Sequence, residues 1–273
     1  MKIVRLFVLF GIVLSVFFGC ASNATNENEE TVVEEVEPIS QEILSEENEI
    51  AEEITEQVET EPESVQPEPR STSLVTAPLV SPTPYSDAAD AYNTGLTYLN
   101  SYDNENAEKY FLKAIEIDPN FVDAMDNLGV AYRRQGKLEQ AEEIYLKSMS
   151  MRGNNDVPYT NLALVYIDQG RYQDALELYI ELLDIMPDSA EGNYGLGNLL
   201  LQFGYYDNAL YYFNAALQIY IEQDSPYLID AIRSIGLCYY YSEDYENAQK
   251  WFGYVLSFIP DDEFALRYLS QMQ

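Results

Sequence analysis

Residues 122–155 read VDAMDNLGVAYRRQGKLEQAEEIYLKSMSMRGNN. Met125, Leu128, Val130, Ala131 and Tyr132 gather on one face at helical spacing, Gly136 interrupts, and Leu138, Ala141, Ile144, Tyr145 and Met149 form a second such face. The spacing predicts a helix, a glycine turn and a second helix. Gly136 suits the turn because it takes positive φ without steric cost just past a helix C-terminus. Neither helix can bury its apolar face alone, so a 34-residue hairpin of this kind needs neighbours.

The neighbours recur at intervals of 34. Leu128-Gly129, Tyr132, Ala141 and Tyr145 return as Leu162-Ala163, Tyr166, Ala175 and Tyr179, then as Leu196-Gly197, Leu200, Ala209 and Phe213. One period earlier stand Thr94-Gly95, Tyr98, Ala107 and Phe111. After five extra residues, Asp224-Ser225-Pro226-Tyr227-Leu228, come Ile235-Gly236, Tyr239, Ala248 and Phe252. Pro119, Pro187 and Pro260 close three of the copies. This pattern resembles the tetratricopeptide repeat, with its leucine-small-x-x-tyrosine, alanine, aromatic and proline signature. The resemblance covers residues 88–262 as five repeats: 88–121, 122–155, 156–189, 190–223 and 229–262. It implies an all-α fold, a right-handed superhelical solenoid of helix-turn-helix repeats. The small residues let paired helices approach and the aromatics fill the space between repeats, so these are packing positions rather than sites.

Local signals refine the pattern. Ser86 and Asp156 are placed to cap the first helices of repeats one and three, Pro158 following soon after the second. Gly136, Gly170 and Gly204 turn three hairpins, and Ser101-Tyr102-Asp103 and Ser242-Glu243-Asp244 turn the first and fifth. Pro226 reads as an early residue of a lengthened helix. Residues 263–273, EFALRYLSQMQ, continue as a capping helix with a wet face.

Upstream, residues 1–19 read as a signal peptide: Lys2 and Arg5 precede an apolar run from Ile3 to Phe18 that is short for a membrane span. Gly19-Cys20-Ala21-Ser22 is similar to a bacterial lipobox, with Phe17 standing where an aliphatic residue is usual. The resemblance implies cleavage before Cys20 and lipid attachment to it, with Ala21 favouring the outer membrane over the inner. An ordinary cleaved signal and an uncleaved anchor stand as alternatives. Residues 20–87 form an acidic, proline-rich tether. Between Ala21 and Asp87, seventeen Glu and one Asp face one Arg, a net charge near −17. Such a composition buries too little apolar surface to offset chain entropy and is expected to be disordered. As a flexible coil its ends lie ~45–50 Å apart.

By resemblance, the first helix of each repeat lines a concave groove. The expected lining is Tyr92, Leu96 and Leu99 in repeat one, then Asp126, Val130 and Arg133 in repeat two. Thr160, Leu164 and Ile167 follow, then Tyr194, Asn198 and Leu201, and last Arg233, Leu237 and Tyr240. Some members of the family grip a C-terminal carboxylate with lysines and asparagines. Asn127 and Asn161 fall at matching places, but Tyr92 and Val157 stand where lysines belong, so that mode is not expected here.

The repeats and cap carry 29 acidic and 11 basic side chains, a net −18. Nucleic acid is therefore disfavoured as a partner and a basic or apolar protein segment favoured. The chain contains no histidine, which removes the commonest general base and metal ligand. No catalytic motif, cofactor or metal site is expected. The two cysteines are Cys20 and Cys238, the latter on a core face as a buried thiol. The expectation is a lipid-anchored protein of the bacterial envelope whose repeats mediate protein–protein interaction as scaffold or adaptor. The alternative is an accessory subunit of an envelope transporter that binds a small hydrophobic ligand in a closed apolar cavity.

Overall fold

The computed structural model describes residues 86–151 and 155–272. The signal peptide, the lipid site at Cys20 and nearly all of the acidic tether lie outside the described residues. Among the described residues there are eleven α-helices and no strand. They form five pairs: α1 (Ser86–Asn100) with α2 (Asn104–Ile117), α3 (Val122–Arg134) with α4 (Leu138–Met151), α5 (Asp156–Asp168) with α6 (Tyr172–Ile185), α7 (Ala190–Gln202) with α8 (Tyr206–Glu222), and α9 (Leu228–Tyr241) with α10 (Tyr245–Phe258). A last helix, α11 (Glu263–Gln271), follows.

Each helix packs on the next in sequence, as hairpins with short turns must. The odd-numbered helices also touch one another along the stack, α1 with α3, α3 with α5, α5 with α7 and α7 with α9. They form the inner layer of the solenoid and the even-numbered helices the outer one.

The repeat residues are where close packing requires them. The Tyr145 ring is fully buried on Gly129, and a Cβ at that position would overlap the ring. The third repeat has Ala163 in the corresponding place. Its aromatic, Tyr179, rests instead on Gly195 of α7, where a Cβ would come within 2.5 Å of the ring. Burying rings of this size stabilises the stack by roughly 1.5–3 kcal/mol each.

The turns divide into two kinds. Gly136, Gly170 and Gly204 take φ of 72°, 75° and 83°. In the first and fifth hairpins the left-handed position is held by Tyr102 (φ 60°) and Glu243 (φ 63°), at a cost of ~1–2 kcal/mol that glycine would avoid. Asp103, Asn155, Ser189, Asp244 and Asp262 cap helices, each accepting a hydrogen bond from a backbone N–H two or three residues on.

Three local expectations shift. Helix α1 already includes Ser86 as its first residue. The cap of α5 is Asn155 rather than Asp156, because the Asn155 side chain reaches the Val157 N–H and Asp156 enters the helix. Pro226 lies in the turn before α9 and not inside a helix. Helix α8 runs to 17 residues, and the extra residues form the turn after it and the first residue of α9, with Asp224 at φ 50°.

Candidate functional site

The inner layer presents its surface from α1, α3, α5, α7 and α9. Six of the fifteen residues expected to line it are buried and cannot do so: Tyr92, Leu99, Asp126, Tyr194, Leu201 and Leu237. The reason is the fit between successive inner helices. Tyr92 packs its ring 4.8 Å from Phe121 and 5.9 Å from Phe111, and its hydroxyl accepts from Asn127 Nδ2 at 3.2 Å. Burial pushes the Tyr92 hydroxyl pKa up to about 12, aided by Asp123 and Asp126. Tyr194 repeats the arrangement three repeats later, with its hydroxyl 3.1 Å from Ser234 Oγ and its ring 5.4 Å from Phe213. These tyrosines are fasteners between repeats.

Asp126 is also turned inward. Ser148 Oγ donates to it at 2.5 Å and Asn155 Nδ2 approaches at 3.5 Å. Leu99, Leu201 and Leu237 fill the seams between helices, with little or no exposed surface.

Nine expected residues keep an accessible edge: Leu96, Val130, Arg133, Thr160, Leu164, Ile167, Asn198, Arg233 and Tyr240. Four of them are engaged, Thr160 through its hydroxyl, which donates to the Asp156 and Val157 carbonyls of its own helix. Arg133 forms a two-pronged ion pair with Asp168 on α5, at 2.6 and 3.2 Å. Arg233 bridges Asp230 and the buried Asp262. The Tyr240 hydroxyl donates to Gln271 at 2.9 Å.

What remains is an apolar line of Leu96, Val130 and Leu164, one residue from each of the first three repeats, with Ile167 alongside and Asn198 extending it. Asparagines occupy the places three residues earlier: Asn93, Asn127 and Asn161. Asn127 fastens Tyr92, while the Asn161 amide is held on the Val157 carbonyl. Asn93 and Asn198 each hold a buried side-chain oxygen with no hydrogen-bond partner, an arrangement that calls for a water or an added donor. The only forewarning of this ladder is three Asn spaced by 34.

Charge is uneven along the solenoid. Residues 88–155 carry eleven carboxylates against seven cations, and residues 156–273 eighteen against four. A cleft of about 890 Å³ opens on the outer side of α2. It is lined by Glu105, Glu108, Lys109, Lys113, Glu116 and Lys137 together with Tyr110, Leu112 and Gln135. Among the described residues no group of carboxylates and thiols is placed to hold a metal ion. None of their helices is long and apolar enough to cross a membrane. Cys238 is buried, and burial raises its thiol pKa strongly.

Three tetratricopeptide repeat families match the chain, over residues 91–121, 110–143 and 160–224. No curated protein matches the sequence. Solved structures share the fold. A tetratricopeptide repeat protein from Parabacteroides merdae is 24% identical with a TM-score of 0.54, matched over 68% of this chain and 72% of its own. One from Thermus thermophilus is 17% identical with a TM-score of 0.55, over 67% and 97%. PilF of Pseudomonas aeruginosa is 23% identical with a TM-score of 0.54, over 70% and 92%.

Proposed function

Because this chain is a tetratricopeptide repeat protein, we propose that it acts as a scaffold or adaptor, docking an extended or helical segment of another protein along its inner layer. The observation that carries the reading is the line Leu96–Val130–Leu164. Its residues come from successive inner helices and are half-buried, keeping an accessible edge, with Leu96 and Val130 also packed against the core of the first two repeats. Apolar anchors in register with a partner supply affinity, and polar neighbours set its orientation. The acidic repeats favour a partner segment that is basic or apolar and disfavour nucleic acid.

The same reading includes the N-terminus. Cys20 carries the lipid, residues 20–87 hold the repeats away from the bilayer, and the protein resides in the bacterial envelope, at the outer membrane. Two or more acyl chains anchor stably, each buried methylene contributing ~0.8 kcal/mol. The rival reading, a pocket for a hydrophobic molecule, draws no support from the cleft beside α2, since six of its nine lining side chains are charged.

The experiment is a crosslinking pull-down from cells, comparing wild type with a Leu96→Ser, Val130→Ser, Leu164→Ser variant whose folding is checked by its thermal melt. A partner captured by wild type and lost by the folded variant supports the adaptor reading, and equal capture by both refutes it. Incorporation of labelled palmitate, lost in Cys20→Ser, tests the anchor.

A further inference from the structure

We propose that the edge of the solenoid around the turn between α9 and α10 is a second docking surface, which takes an arginine-bearing segment of a partner protein. It lies at the fourth and fifth repeats, away from the Leu96–Val130–Leu164 line, although Tyr240 and Tyr241 belong to the inner helix α9.

Five tyrosines meet at this edge. The Tyr206 ring stacks on Tyr241 at 6.2 Å, Tyr241 meets Tyr240 at 5.3 Å, and Tyr240 meets Tyr245 at 5.8 Å and Tyr268 at 4.9 Å. Tyr245 is 45% exposed. Asp207, Glu243, Asp244 and Glu246 adjoin these tyrosines in sequence, and all but Asp244 are exposed. Tyrosine faces carry negative potential and carboxylates reinforce it, so a guanidinium gains both by stacking and by pairing. Glu243 holds its place in the turn at φ 63°, where three sister turns use glycine. A carboxylate thus stands at the tip in spite of the backbone cost.

The molecule already contains this kind of complex within itself. The Arg171 guanidinium lies 4.1 Å from the Tyr166 ring centre and donates to Glu142 at 3.0 Å and Asp174 at 2.5 Å. One repeat earlier, Lys137 lies 5.7 Å over Tyr132 and pairs with Glu108 at 2.6 Å. At the corresponding places in the fourth and fifth repeats the cation gives way to Tyr205 and then Asp244. The tyrosine position becomes Leu200 and then Tyr239, and the carboxylates Glu142 and Asp174 give way to Leu176 and Asn208 and then to Leu210 and Asn247. The five rings at this edge and the carboxylates beside them stand in place of the sister arrangement, with Glu246 pairing locally with Lys250 at 2.9 Å. At the far end of the cluster Arg267 lies 5.3 Å from both Phe264 and Tyr268, which shows that these rings accept a guanidinium. Four cations against eighteen carboxylates over residues 156–273 supply the attraction at longer range. Arginine is favoured over lysine because its flat, weakly hydrated fork stacks and pairs at once.

The test uses the full chain in a nonionic detergent with ring-labelled tyrosine. It is titrated with a short alternating glycine–arginine peptide and its lysine and glutamate counterparts. Tyr85 is the only tyrosine before the repeats, so the ring signals report on the solenoid and not on binding to the acidic tether. The expected result is saturable shifts of the cluster, with arginine bound more tightly than lysine and no response to the glutamate peptide. A Tyr245→Ala, Glu243→Gln variant with an unchanged melt should bind about ten-fold more weakly, and Tyr211→Ala, an exposed tyrosine outside the cluster, should bind like wild type. Equal affinity for arginine and lysine, no loss in the variant, or no response of the cluster would each overturn the assignment in favour of general attraction to an acidic protein.

Discussion

Gly129 and Gly253 both lie inside helices, in α3 and α10, but face opposite surroundings. A Cβ at Gly129 would overlap the buried Tyr145 ring, whereas one at Gly253 would meet nothing within 4 Å. Gly253→Ala should therefore raise stability by about 0.5–1 kcal/mol, through helix propensity and a less flexible unfolded chain. Gly129→Ala should lower it by about 1–3 kcal/mol through overpacking. Urea unfolding midpoints of the two variants, moving in opposite directions, check this. The tyrosines give a second residue-level expectation. Tyr92 is pushed up to about 12 mainly by burial, as is Tyr241 with help from its bond to Tyr268, and fully buried Tyr145 is raised well above the usual value. In the unfolded chain these groups ionise near 10. A raised folded value contributes stability that is intact below pH 10 and is lost as pH rises towards 12. Absorbance at 295 nm should show a delayed class of tyrosines that ionises together with loss of the helix signal. Simultaneous titration of all 24 tyrosines near pH 10, with the helices intact, would contradict it.

Among the elements, α11 is held by ring contacts of Phe264 and Tyr268 and by one buried ionic tie. The Asp262 side chain is 5% exposed, caps α11 through the Ala265 N–H and receives Arg233 from α9. Removing the cation strands a buried carboxylate. Arg233→Met should cost about 1–3 kcal/mol, the lower part of the range for broken buried pairs because Arg233 is 27% exposed. The loss should appear as faster hydrogen exchange in α11 with α1–α3 unaffected, and uniform acceleration would place the effect elsewhere. The five helix pairs were legible because a ring and the small residue beneath it must recur wherever two helices touch. Burial of Tyr92 and Tyr194 was not legible, because it depends on what the next repeat brings: Phe121 and Asn127 over the one, Ser234 over the other. The α5 cap fell one residue from its expected place because Asn155 and Asp156 are equally suitable in type, and only backbone geometry separates them.

At the scale of the molecule, the buried apolar side chains of the described residues fall into two clusters. Nine buried side chains of α1, α2 and α3, with Tyr92, Phe111 and Leu128 the largest, form one cluster, and buried residues from α4 to α11 form another. The seam runs through the second repeat, where polar groups are buried beside Met125 and Tyr145. Asp126 and Ser148 bond across α3 and α4, and the Tyr145 hydroxyl is buried without a hydrogen-bond partner. Tyr132 packs against both clusters as a partial bridge. In a stack where each repeat contacts only its neighbours, a smaller core behind a polar seam opens at lower free energy than the rest. Helices α1–α3 should thus lose amide protection in urea concentrations that leave α5–α10 protected, and the unfolding transition should be broader than two-state. Hydrogen exchange read by mass spectrometry distinguishes this from a single cooperative unit, in which all helices would exchange together. Two of the three apolar residues of the inner line, Leu96 and Val130, lie on the labile side of the seam. A partner docked along Leu96, Val130 and Leu164 would span it, so binding should raise the protection of α1–α3 in particular, stabilising them by mass action as the bound fraction grows. A partner that left α1–α3 as labile as before would be bound elsewhere on the solenoid.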